Sequence, residues 1–112
     1  MDGDDVLALM NNVKDVKVSD TILRYIYEIT SRTRNDDRVL LGASPRALEH
    51  LLFASKSLAF LRGREYVIPD DVKELASPVL SHRIIIKGEH EMDGFKGVDL
   101  VTEILDEVEV VA

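Results

Sequence analysis

Between Ser19 and Arg38 the apolar positions Ile22, Ile26 and Ile29 fall three or four residues apart, with Thr33 continuing the line. That spacing puts them on one face of an α-helix. Leu48, Leu51, Leu52, Ser55, Leu58, Ala59 and Arg62 repeat the same period further on, while Phe53, Phe60 and Leu61 add apolar surface elsewhere on the circumference. A helix that is apolar on most sides is usually a central one, so this segment is expected in the middle of the domain. A third stripe is formed by Val72, Leu75, Ala76, Val79 and Leu80, with Pro78 inside it, where proline kinks or restarts a helix. The ends of the chain carry two more stripes: Val6, Leu7, Met10 and Val13, with Asp4 and Asp5 at the positive helix end, and Val101, Ile104, Leu105 and Val108 from about Val98 onward.

Local chemistry marks the boundaries. Ser19 and Ser44 are N-cap residues whose hydroxyls accept otherwise unpaired amides, and Pro45 suits the first helical position. Gly63 is placed to close the second of these helices. Pro69, with Asp70 and Asp71 behind it, opens the next. Three stretches read as very short strands: Val16 to Val18, Arg64 to Ile68, and the buried run Arg83 to Ile86, with the first two pairing. Arg32 to Arg38 and the glycine-bearing stretch Lys87 to Gly97 read as loops, the latter mobile. Residues 1–112 therefore form one mainly α domain of five helices with two or three very short strands, and they contain no repeat, low-complexity segment or linker.

Composition narrows the function. Aromatics make up 5% of the 112 residues and Trp is absent, so the core is built from Leu, Ile, Val and Ala. The formal charge of −7 opposes binding to phosphate backbones, which argues against a nucleic-acid partner. With no cysteine there is no disulfide, as expected of a cytoplasmic protein. The acidic N-terminus is unlike a signal or transit peptide, and no apolar run approaches the roughly 18 residues of a membrane span.

Catalytic motifs are missing. There is no G-x-x-x-x-G-K-[ST] phosphate loop and no G-x-G-x-x-G. Ile104-Leu105-Asp106-Glu107 resembles the end of a Walker B strand but sits on a helical stripe. His50, His82 and His90 show no metal-ligand spacing, and Glu89-His90-Glu91 reads as solvated loop, so no metal site is expected. Arg46 stands out, because a cation in the first turn of a helix is disfavoured by the dipole while free amides there welcome an anion. On the residues alone a surface arginine paired with Glu49, or with an acid elsewhere, is the default, with a phosphate site as the alternative. Arg32, Arg34 and Arg38 form a second basic cluster, which is either a solvated loop or a contact for an acidic partner such as a neighbouring subunit.

Several segments resemble, in order, the lid domain of MoxR-family AAA+ ATPases. They are Tyr25-Ile26, Thr33-Arg34, Leu41-Gly42-Ala43-Ser44-Pro45-Arg46-Ala47, Gly63-Arg64-Glu65-Tyr66-Val67, Pro69-Asp70-Asp71-Val72-Lys73 and Val79-Leu80-Ser81-His82-Arg83, together covering residues 16–86. The resemblance implies a five-helix lid-type bundle that closes over ATP and Mg²⁺ bound to a P-loop core. It gives Arg46 the role of sensor arginine, in cis or in trans, with Gly42, Ser44 and Pro45 beside the nucleotide. It also implies a hexameric, chaperone-like parent ATPase whose neighbours include its own core, adjacent subunits and a von Willebrand factor A domain protein. The core is absent from this chain, so no hydrolysis is expected of the chain alone. A second reading is a stand-alone helical adaptor that binds a partner through Phe53, Phe60 and the Arg32 to Arg38 stretch.

Overall fold

The computed structural model describes residues 12–110. Its elements are α1 (Asp20–Asn35), β1 (Val39–Leu41), α2 (Pro45–Leu61), α3 (Pro69–Leu80), a 3₁₀ turn (Ser81–Arg83), β2 (Ile85–Ile86), α4 (Gly88–Met92) and α5 (Gly97–Glu107). Four of the five expected helices lie in this span, and all four are present. The first expected helix, with Asp4, Asp5, Val6, Leu7 and Met10, lies outside the described residues. Asn12 to Lys14 are helical, and Val13 is buried.

Helices α1 and α2 start where their capping serines dictate. Ser19 Oγ accepts the Ile22 N–H at 3.2 Å and Ser44 Oγ accepts the Ala47 N–H at 3.3 Å, satisfying orphan donors of the first turns of α1 and α2. At the far end of α2, Gly63 takes φ = +76°, the left-handed conformation in which glycine has no Cβ penalty. The Gly63 N–H reaches Phe60 O at 3.0 Å and the Arg64 N–H reaches Ala59 O at 2.9 Å, the two bonds of a Schellman ending.

The core is aliphatic. Ile26 and Ile29 of α1, Leu51 of α2, Val72 and Leu80 of α3, and Leu100 and Val101 of α5 are completely enclosed. Each such side chain contributes about 1.5–3 kcal/mol relative to exposure. Helices α1 and α3 carry this core between them, since α1 packs on α2, α3 and α5, and α3 packs on the same two partners α2 and α5.

Among the described residues α2 packs on α3 and α1 along one line of side chains and leaves part of its apolar surface exposed. Phe53 and Leu61 remain 47% and 74% exposed. Both lie outside the buried line of Ala47, Leu51, Ser55 and Ala59.

Three expectations are revised. Arg32, Thr33 and Arg34 belong to the last turn of α1, because buried Thr33 extends the apolar stripe and bonds its hydroxyl to Thr30 O at 2.6 Å. Of the kink or restart expected at Pro78 the restart is excluded, since α3 runs on to Leu80 and then tightens into the 3₁₀ turn. The stretch from Lys87 to Gly97 is not a free loop. Lys87 O accepts the His90 and Glu91 N–H groups, both at 3.0 Å, to start α4, and Phe95 lies 4.4 Å beneath the Arg38 guanidinium.

The strands are short and non-local. β1 and β2 pair antiparallel, with Val39 opposite Ile86 and Leu41 opposite Ile85. The expected contact between Val16–Val18 and Arg64–Ile68 is a single parallel bridge, in which the Lys17 N–H donates to Glu65 O at 2.8 Å and the Val67 N–H to Lys17 O at 3.0 Å.

Candidate functional site

The turn from β1 into α2 is pressed directly onto the end of α1. A Cβ on Gly42 would sit 2.6 Å from Arg34 Cα, 2.7 Å from Arg34 N and 2.8 Å from Thr33 C, all rigid backbone. Only glycine allows that approach. The next residue, Ala43, is enclosed, and both its backbone polar groups are satisfied from α1. Its N–H donates to Thr33 Oγ1 at 2.9 Å, and its carbonyl accepts from Arg34 Nη1 at 2.9 Å.

From that anchor the chain turns outward. Ser44, Pro45 and Arg46 are all exposed, Ser44 as N-cap and Pro45 as the first helical residue. Pro45 has no N–H, and among the described residues the Arg46 N–H meets no acceptor. Nor does the Arg46 guanidinium come within 4.0 Å of any described carboxylate, so the default pairing with Glu49 is not made. A cation and an amide, both without a partner among the described residues, thus share the exposed first turn of a 17-residue helix. Such a helix start attracts anions.

The second basic cluster is resolved into separate internal contacts. Arg32 Nη1 reaches Glu107 Oε2 at 3.2 Å, with Glu28 at 3.7 Å. Arg38 chelates Asp36 and reaches across to Glu103 Oε2 at 2.7 Å. The Arg38 contact holds the Asp36 carboxyl below its ordinary pKa of 3.8, outweighing the burial that opposes it. These arginines fasten the end of α1 and the β1 approach to α5. Arg32 and Arg38 thus have carboxylate partners within the domain, while Arg34 stays exposed with no described carboxylate beside it.

Two other motif pieces meet each other through a buried ion pair. The Asp71 carboxylate is fully enclosed and paired with both Nη atoms of Arg64, and it also accepts the Ile68 N–H at 2.9 Å. This joins the end of α2 to the start of α3, so Gly63-Arg64 and Pro69-Asp70-Asp71 form one clasp. Asp106 and Glu107 are exposed on α5, in helix and not at the end of a strand. Among the described residues no group of three or more His, Asp or Glu side chains is placed to hold a metal ion.

Thr33 and Arg34 are the pair whose role the sequence concealed. Both sit in a polar stretch that reads as loop, although Thr33 falls on the apolar stripe and so signals burial.

A family model for the AAA lid domain matches residues 31–104, from the end of α1 into α5. The chain belongs to the AAA lid domain family. It is similar to the uncharacterized protein YeaC of Bacillus subtilis (strain 168), at 38% identity over 96% of this chain and 33% of YeaC. It is similar also to the chaperone MoxR1 of Mycobacterium tuberculosis, at 31% identity over 93% of this chain and 30% of that protein. A crystal structure described as that of an ATPase from Cytophaga hutchinsonii ATCC 33406 superimposes with a TM-score of 0.92 at 33% identity, covering 97% of this chain and 36% of the other. The lid is thus of the MoxR type of AAA+ ATPase, and the chain spans about a third of the length of the relatives it matches. No helix among its described residues is long and apolar enough to cross a membrane.

Proposed function

We propose that this lid closes over ATP bound to the P-loop core of a MoxR-type ATPase, with Arg46 as the residue that meets the terminal phosphate. The observation that carries this reading is the placement of Arg46. It is exposed, and among the described residues neither its guanidinium has a carboxylate partner nor its amide an acceptor, on a turn whose root is fixed to α1. A cation in the first helical turn costs stability against the macrodipole, so its partner is best sought outside the domain. A guanidinium contacting the terminal phosphate would stabilise the charge that develops in phosphoryl transfer. Gly42 would contribute by close packing, Ser44 by its cap and Pro45 by fixing φ before Arg46.

In this reading ATP supplies the phosphoryl group, and Mg²⁺ neutralises its charge on the core. The lid offers a cation and amides but no described carboxylate cluster for the metal. Closing of the lid would then tie nucleotide state to subunit packing in an oligomeric assembly. The reading is supported by the family match and by MoxR1, whose name describes a chaperone.

The test uses a full-length MoxR-type ATPase carrying this lid, with and without Arg46→Ala. ATP binding should survive while turnover falls at least about tenfold, equivalent to roughly 1.4 kcal/mol of transition-state stabilisation. Unchanged binding and turnover would remove Arg46 from the mechanism.

A further inference from the structure

The stripe that supplies Ile22, Ile26 and Ile29 to the core puts a hydroxyl at its fourth position. Thr33 is enclosed, and its hydroxyl both donates, to Thr30 O at 2.6 Å, and accepts, from the Ala43 N–H at 2.9 Å. A buried polar group is unfavourable unless it is hydrogen-bonded, so an aliphatic side chain would be the simpler filler for packing alone. Arg34 adds the bond from Nη1 to Ala43 O at 2.9 Å while its side chain stays exposed and free of any described carboxylate. Gly42 closes the remaining gap against the rigid backbone of Thr33 and Arg34.

Ala43 therefore cannot slide or rotate without breaking two bonds to α1. Only Ser44 and Pro45 separate it from Arg46, and Pro45 fixes its own φ. Ala47, the residue after Arg46, is enclosed as well. The Cα of Arg46 is thus held between two enclosed alanines, one of them latched to Thr33 and Arg34.

We infer that Thr33 and Arg34 are positioning residues for Arg46, fixing the point from which its guanidinium reaches out. The inference rests on the reading of Arg46 as the phosphate-contacting residue. Its physical content is that misplacing a reacting group by about 1 Å can cost up to roughly 100-fold in rate. Thr33 and Arg34 act on turnover through Arg46 alone.

A double-mutant cycle in a full-length MoxR-type ATPase carrying this lid separates the possibilities. Thr33→Val keeps the shape and removes both hydroxyl bonds. Arg34→Ala removes the bond to the Ala43 carbonyl at an exposed position, so it tests the latch even where Thr33→Val fails to fold. The expected result is that each lowers kcat about three- to tenfold with ATP KM changed less than about twofold. Thr33→Ser, which keeps the hydroxyl, should restore turnover, and neither variant should lower kcat further in an Arg46→Ala background. If Arg46→Ala matters but the latch variants are silent, or multiply with it, the latch inference fails and the Arg46 reading stands. If Arg46→Ala itself changes nothing, the functional reading fails, and the latch has no residue to position.

Discussion

The Ala43 N–H donates to Thr33 Oγ1 at 2.9 Å across ten residues of chain, and this bond roots the start of α2 in the end of α1. Because both partners are enclosed, losing the hydroxyl leaves a buried amide without an acceptor. Such an orphaned group costs about 1–3 kcal/mol. Thr33→Val should therefore lower stability by that amount in urea unfolding of the 112-residue chain, with Thr33→Ser recovering more than half. Equal stability of Val and native Thr would mean that the turn is held by other contacts.

Gly42→Ala is expected to be worse than an ordinary surface change, although Gly42 is partly exposed. The added Cβ meets backbone atoms at 2.6 to 2.8 Å, and these cannot rotate away as a side-chain tip can. Overpacking of this kind costs about 1–3 kcal/mol. At about 4 °C per kcal/mol for a domain of this size, the melting temperature should drop by roughly 4–12 °C. A drop within about 1 °C would show that the turn lifts off α1 without penalty.

How much of this was legible in the sequence depended on whether the deciding contact was local. Ser19, Ser44, Pro45, Gly63 and Pro69 act on amides and carbonyls within a few residues, and each marks a helix boundary where expected. Which apolar side chains of α2 are covered depended on what packs around it, and Phe53 and Leu61 stay exposed. The end of α1 was read too early because Arg32, Arg34 and Arg38 look solvated. Besides the local Glu28 and Asp36, their partners Glu107, Ala43 and Glu103 lie 75, 9 and 65 residues away in sequence. Phe95 beneath Arg38 is equally invisible, since only the fold brings a ring from the apparent loop under that guanidinium. For the candidate site, the type of residue and its helical position were readable at Arg46. What holds it was not, because Thr33 and Arg34 sit in another element.

Acid should weaken the contact between Asp36 and Arg38. The Asp36 carboxyl titrates below its ordinary 3.8, chiefly through its hydrogen bonds with the Arg38 side chain. With the folded pKa depressed, the unfolded chain binds more protons in this window, so stability rises with pH there. The contribution is complete above the unfolded value of about 4 and is lost as pH falls through the folded one. Stability measured downward from pH 5 should decline, and Asp36→Asn should make that decline shallower. An unchanged slope would remove Asp36 from the acid response.

The alkaline limb belongs to Tyr25. Its hydroxyl is buried without a hydrogen-bond partner among the described residues, and burial, aided by the charge of Asp70, raises its pKa above 10.0. The folded state keeps a proton that the unfolded chain releases, so stability is intact below pH 10 and falls as pH climbs from there through the folded value. Tyr25→Phe removes an unpaired polar atom with little change in shape. It should be neutral or stabilising by up to about 1 kcal/mol near neutral pH, and it should flatten the alkaline decline. A loss of more than about 1 kcal/mol would mean that the hydroxyl has a partner after all.

Arg46 offers a test of function through stability alone. It is exposed, has no carboxylate within 4.0 Å among the described residues, and lies one residue into α2. Surface substitutions of this kind fall within about 0.5 kcal/mol. A cation at a helix N-terminus is opposed by the dipole by roughly 0.3–1 kcal/mol. Arg46→Ala should therefore leave the melting temperature of the 112-residue chain unchanged or slightly raised, and Arg46→Glu should raise it further. A residue that disfavours its own helix is hard to explain by folding. Should either change destabilise the domain by more than about 1 kcal/mol, Arg46 would have a structural partner, and the case for an external anion would fall with it.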